Sequence, residues 1–358
     1  MVKHIRGFDG LRGVSILFVI FNHLGIQQLL PQQAFFRLRI FPLFSGVTGV
    51  NIFFVLSGFL ITWLLINELV KTGKINFIHF FARRFLRLLP PLIVFFTCLL
   101  LLMGFHYLPA NYPAVLFSVF YLYNFVPNVF FMPELSHTWS LAVEEQFYFT
   151  WPFLLLRHFK KRALVTGCLV FILLCILAVY IFNAVYIPFE YKGKTYSLLA
   201  DGFKTSRWFI PAAAPIIIGS MSAIILHRHH EKLTNFFHNN LRSLVLPVLL
   251  FSAGIYLPDV LLPVNYIFQA FGIAIFLVWL YVNQQSRLAT ILELQPLSYI
   301  GKISYGLYVY QGLFLRTSPG GTLYIQQFPL NIILTASLAI LSYHFIEKNV
   351  LRLKEKFR

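Results

Sequence analysis

Long apolar runs separated by short basic breaks make up most of this chain. Eleven apolar segments stand out, at roughly 11–29, 43–68, 88–106, 113–131, 140–157, 163–182, 209–227, 243–257, 266–283, 303–316 and 329–347. Most approach the ~20 residues that carry a helix across a bilayer. An uninterrupted apolar segment in lipid satisfies its backbone internally as a helix. The pattern therefore predicts an all-α, polytopic transmembrane bundle. Segment 113–131 departs from the others. Pro113, Asn124, Pro127 and Asn128 interrupt it, which fits a re-entrant or interfacial piece better than a span.

Charge sets the count. If all eleven segments crossed and Lys71 to Arg87 were cytoplasmic, the basic patch Arg157-His158-Phe159-Lys160-Lys161-Arg162 would fall outside, against the positive-inside rule. Removing 113–131 repairs the alternation. The expectation is then ten spans, both termini cytoplasmic, with most of the 29 Lys and Arg residues on the cytoplasmic side. Residues 1–358 read as a single transmembrane domain. The first run lacks a small-residue cleavage site and reads as a retained span. The eleven residues after Glu347 leave no room for a further soluble domain.

Composition agrees. Hydrophobic residues make up 58% of the chain and charged residues 11%, and the mean hydropathy is +0.74. These values exclude a soluble globular domain. The net charge of +17 reads as cytoplasmic loops that obey the positive-inside rule rather than as a nucleic-acid surface. Cys98, Cys168 and Cys175 lie in apolar runs with no pairing or metal spacing, so they read as packing residues. His227-Arg228-His229-His230 has the composition of a metal tract but no ligand spacing, and reads as a solvated loop. No metal is expected.

Against this background a few polar residues within apolar runs carry the candidate chemistry. Arg12 and His23 are eleven residues apart, about three helical turns plus 20° and about 16.5 Å of rise, so they share one stripe. Ionisable groups in a membrane helix usually face a functional interior. The alternative is an interfacial anchor and a packing His. Gly49 to Phe59 places Asn51 and Ser57 among small residues, suited to helix contact or to oxyanion bonding. Arg84 and Arg87, three apart before Leu88-Leu89-Pro90, suit bidentate phosphate binding, or else a plain cytoplasmic anchor. His137, Trp139, Ser140, Glu144, Glu145, Gln146 and Tyr148 form the densest polar block. A capping Ser140 would account for one Glu in the first turn, but not for the set. Near the end, Ser304, Tyr305, Tyr308 and Gln311 precede Ser342 to Lys348. Tyr308 and Gln311 share a helical face.

The ordered set of these motifs resembles the bacterial acyltransferase-3 family of integral membrane O-acyltransferases, over nearly the whole chain. The resemblance implies that His23 is the essential histidine, with Arg12 as its partner. It implies that Arg84 and Arg87 bind the acyl donor, and that Glu144 takes the family's Glu position. Gln311 stands where relatives often carry His. The hydrolase-like C-terminal domain of some longer members is not in this sequence. The expected reaction is transfer of a short acyl group, acetyl above all, from acetyl-CoA or another short acyl-CoA. The acceptor is a hydroxyl of a lipid-linked or surface carbohydrate such as lipopolysaccharide O-antigen. His23 would act as general base oriented by Glu144, or as an acyl carrier. Asn51, Ser57, His137, Trp139, Glu145, Gln146, Tyr148, Ser304, Tyr305 and Tyr308 are the substrate and oxyanion candidates. A transporter or flippase for a lipid-linked sugar is the rival, although no paired broken helices appear. A structural or sensory protein leaves His23 and Glu144 without a role.

Overall fold

The computed structural model describes residues 5–25, 44–159, 161–185, 187–191, 194–197, 199, 202–257, 264–315 and 323–353. Helices dominate them: α1 Phe8–His23, α2 Gly46–Thr72, α3 Phe77–Gly104, α4 Tyr112–Val119, α5 Thr138–His158, α6 Ala163–Ala184, α7 Phe209–Ala212 and α8 Ala214–Arg228. They continue as α9 His230–Phe237, α10 Val245–Tyr256, α11 Val264–Val282, α12 Arg287–Leu292, α13 Gln295–Lys302, α14 Ser304–Phe314, α15 Leu330–Ser342 and α16 Lys348–Leu353, with a π-helical turn joining the last two. α2, α3, α6, α11 and the continuous stretch Leu330–Arg352 are each long and apolar enough to cross a membrane. This is a multi-pass membrane protein. The ends of predicted spans at 26–29 and 316 lie outside the described residues.

Local chemistry fixes the long elements. Ser45 caps α2 by accepting from the Val47 and Thr48 amides, and Gly73 closes it at φ 70°, a conformation that favours glycine. Asn76 then caps α3 by accepting from the His79 amide, and the Glu68 carboxylate accepts from the Asn76 amide at 2.7 Å. The α2–α3 turn is therefore tight, and α3 begins at Phe77, well before the predicted apolar run at 88. Arg83, Arg84 and Arg87 lie on the helix itself.

Segment 113–131 resolves into the eight-residue α4 and 3-10 turns at Tyr123–Phe125 and Asn128–Phe130. α4 is about 12 Å long, far short of a bilayer. A short two-stranded antiparallel hairpin, β1 Pro188–Tyr191 with β2 Lys194–Ser197, lies in the α6–α7 connection of the otherwise helical described residues. One expectation needs correcting, because 227–230 is not a free loop. His227 and Arg228 end α8, with His227 edge-on to Trp63 at 6.4 Å and Arg228 donating to the Phe159 carbonyl at 2.6 Å. The contacts of His227 and Arg228 are with residues distant in sequence, which local sequence does not display.

Small residues bring the main helix pairs together. A Cβ on Gly58 would fall 2.0 Å from the Ile216 carbonyl oxygen, and one on Gly219 would fall 2.1 Å from that of Val55. α2 and α8 thus cross backbone to backbone, as membrane helices do at small residues. α1 meets α12 and α13 in the same way. A Cβ on Gly10 would fall 1.7 Å from the Leu292 carbonyl oxygen, and one on Gly301 equally close to that of Asp9. Two apolar cores result. Phe54, Phe59, Ile216 and Trp279 belong to one, and Phe95, Leu99, Tyr123 and Tyr310 to the other. Val50 and Trp139 pack against both.

Candidate active site

A cavity of about 1180 Å³ lies among α1, α2, α3, α5 and α14. Its walls include Arg12, Ser57, Arg84, Arg87, Ser140, Glu144, Tyr148, Ser304, Tyr305 and Tyr308. Five helices, far apart in sequence, therefore deliver most of the predicted residues to one space.

One end is basic. Lys71, Lys74, His79 and Arg83 border it from the α2–α3 turn. Arg83 meets Glu68 at 3.6 Å. Arg84 and Arg87 follow on the same face of α3. The Arg84 guanidinium lies 3.2 Å from the Tyr148 ring centroid, a close cation–π contact. Its Nε is buried without a hydrogen-bond partner. Arg87 is exposed, and it opens into the cavity. Across the cavity, Arg12 pairs with Asp9 at 3.0 Å one turn away. Glu144 lines the same wall, close to the Ser57 and Tyr148 side chains.

The other end is built from hydroxyls. The Tyr308 hydroxyl donates to the His137 carbonyl at 3.1 Å and sits 2.5 Å from the Ser140 hydroxyl. The His137 ring is buried edge-on to Tyr308 and Phe95, at 5.6 and 5.5 Å. Tyr305 donates to the Leu88 carbonyl at 3.2 Å, tying α14 to α3. One turn beyond Tyr308 on α14 is Gln311, completely buried. Its amide oxygen lies 3.0 Å from His23 Nδ1. An amide oxygen only accepts, so in this orientation Nδ1 carries the hydrogen and Nε2 offers its lone pair.

This geometry revises one assignment. The expected His23–Glu144 pairing is not formed. His23 Nδ1 meets Gln311 instead, and Glu144 lines the cavity with Arg84 and Arg87. Gln311 was legible as a face-mate of Tyr308, but nothing in the sequence tied it to His23, 288 residues away. Neither His23 nor His137 lines the cavity itself, and four further candidates also stand apart from it. Asn51 donates to Gln269 at 2.6 Å, and Gln269 donates to Thr48 at 2.9 Å, so Asn51 links α2 to α11. Gln146 bonds Asn124 and the Tyr121 carbonyl, fastening the broken segment to α5. Glu145 lies near Tyr121 and Tyr305. Trp139 packs edge-on to Phe54 at 6.0 Å. Among the described residues no group of His, Cys, Asp or Glu is placed to hold a metal ion.

The whole arrangement falls within a known sequence pattern. Residues 5–344 match a family model described as an acyltransferase domain. Over 374 aligned residues the chain is 27% identical to O-acetyltransferase OatA of Staphylococcus aureus strain NCTC 8325 / PS 47, covering 96% of this chain and 57% of that protein. The OatA of strain MRSA252 gives the same figures. The chain spans a little over half the length of these curated relatives. No solved structure matches it.

Proposed function

This chain belongs to the acyltransferase family that its residues 5–344 match, and from that membership we propose that it moves a short acyl group, acetyl above all, from cytosolic acyl-CoA to a hydroxyl of a lipid-linked or surface carbohydrate such as lipopolysaccharide O-antigen. The setting is the bacterial inner membrane, crossed ten times with both termini in the cytoplasm. The observation that carries the reading is the single cavity with a cationic end and a hydroxyl-lined end. The first suits the phosphates of coenzyme A. The second abuts the helical turn that holds His23.

The donor fits the basic end. Arg84 has a buried Nε with no protein partner, and Arg87 opens into the cavity. Guanidinium forks match phosphate oxygens two at a time. Arg12 stands further along the wall, where the pantetheine arm passes. The acceptor hydroxyl meets His23 Nε2, which takes its proton while Nδ1–H stays bonded to Gln311. The freed oxygen attacks the thioester carbonyl carbon. The carbon–sulfur bond then breaks, an ester remains on the sugar, and the coenzyme A thiolate leaves with the proton that His23 returns. Ser140 and Tyr308 are the hydroxyls placed to steady the oxyanion. Glu144 holds Ser57 and Tyr148 beside the donor.

Purified protein in liposomes, given labelled acetyl-CoA and a polysaccharide acceptor, tests this. Ester-linked label on the glycan that disappears in His23→Ala is the expected result. Unaltered acyl content with altered glycan export would favour the transporter reading. Wild-type turnover in His23→Ala would remove His23 from the mechanism.

A further inference from the structure

A second cationic feature lies outside the cavity, and the acyl-transfer machinery does not use it. Residues 202–208 form a strap fixed to the broken segment. The Asn128 amide donates to the Gly202 carbonyl at 2.8 Å, and Pro127 bridges to Phe203. The strap carries Lys204 and Arg207. Lys204 Nζ lies 3.8 Å from the Phe131 ring centroid. The Arg207 guanidinium lies 5.6 Å from the Trp139 ring and 6.0 Å from Phe131, and Nη1 donates to Ser136 Oγ at 3.3 Å. Neither cation meets a carboxylate among the described residues. Among the described residues, this half-buried guanidinium held by rings and one hydroxyl gains no counter-charge for the water it gives up, which is costly unless a ligand supplies one.

The position says which ligand. Ser136 precedes His137, whose ring packs on Tyr308 at the hydroxyl end of the cavity. The Trp139 ring also meets Phe54, a cavity-lining residue. Arg207 therefore stands behind the hydroxyl end, outside the cavity that the cations assigned to coenzyme A line. Aromatic faces beside a cation suit a sugar ring that carries an anionic substituent. The geometry points to an acceptor subsite in which Arg207 and Lys204 bind the carboxylate or phosphate of an acidic glycan. This rests on the acyl-transfer reading for its purpose, but not for its test.

The test is equilibrium binding, so it stands whether or not acyl transfer is observed. Full-length protein in zwitterionic nanodiscs is titrated with three oligosaccharides: a uronate oligomer, a phosphodiester-linked oligomer and a neutral oligomer of matched length. At least one acidic oligomer should bind roughly tenfold or more tighter than the neutral one, as expected for a charge-assisted bond. Arg207→Ala should abolish that preference and leave neutral-oligomer binding and acetyl-CoA binding unchanged. Lys204→Ala, at an exposed position, should weaken it and supplies the answer if Arg207→Ala does not fold. Arg207→Lys should restore part of it. Equal binding of acidic and neutral oligomers overturns the proposal, as does a preference that survives both alanine variants. So does Arg207-dependent binding of anionic vesicles without any oligosaccharide preference, which would make the strap a lipid-headgroup contact.

Discussion

His23 and Gln311 illustrate what one hydrogen bond decides. On the proposed mechanism, an Nδ1–H bound to the buried amide oxygen leaves Nε2 to take the proton. His23→Ala should reduce acyl transfer by at least ~100-fold, the usual worth of a positioned general base, in a protein that still inserts and folds. Gln311→Ala should lower turnover by roughly 5- to 150-fold, because the Nδ1 donor is then left buried and unpaired, while the KM for acyl-CoA stays put. A change confined to KM would detach Gln311 from catalysis. At the opposite end, Arg84→Lys keeps the charge and loses the fork. Its signature is a raised KM for acyl-CoA with an unchanged KM for the acceptor, read from initial rates. Arg84 and Tyr148 also act as a unit, so Tyr148→Phe, which retains the ring face, should leave donor affinity closer to wild type than Tyr148→Leu does.

Among the elements, the long apolar helices were legible because length and hydropathy are local properties. α2, α3, α6 and α11 appear where the apolar runs lie. The break at 113–131 was legible for the same reason, since proline and asparagine mark it directly. The polar wall of the cavity was partly legible. Arg84, Arg87 and Glu144 advertise themselves by being charged in apolar surroundings, and the structure gathers them on one cavity. Partnerships across elements were not legible. Glu144 sits in the cavity wall near Ser57 while His23 meets Gln311, and Asn51 and Gln146 spend their amides on neighbouring elements. A polar residue in a membrane helix signals that a partner exists and leaves its identity open. Gly58 gives a measurable case of close packing. Gly58→Val would drive a branched side chain into the Ile216 carbonyl, separating α2 from α8. Loss of the monodisperse species in detergent is expected, whereas Gly167→Ala, in open space on α6, should be silent.

For the molecule as a whole, the proposed ten-span arrangement makes a sharp prediction about sidedness. Four positive charges between Arg157 and Arg162 belong in the cytoplasm, so α5 must begin at the outer face. Single Cys residues at Asn111, Pro133 and His158, in a background without the native cysteines, should separate cleanly. The first two should react with an impermeant reagent in intact cells, and the third only after lysis. Protection at 133 with labelling at 158 would invert α5 and reverse the two ends of the cavity. With the expected sidedness, the Ser140–Tyr308–His137 contact takes on a further meaning. It closes a water-accessible vestibule that reaches from the cytoplasm deep into the bundle. A protein drawing one substrate from each compartment is a standing threat to the cell's energy supply, since a continuous water path would discharge the proton gradient. On this view the hydroxyl cluster is also electrical insulation. Tyr308→Ala, reconstituted into liposomes loaded with a pH-sensitive dye, should collapse an imposed proton gradient faster than wild type, even with no substrate present.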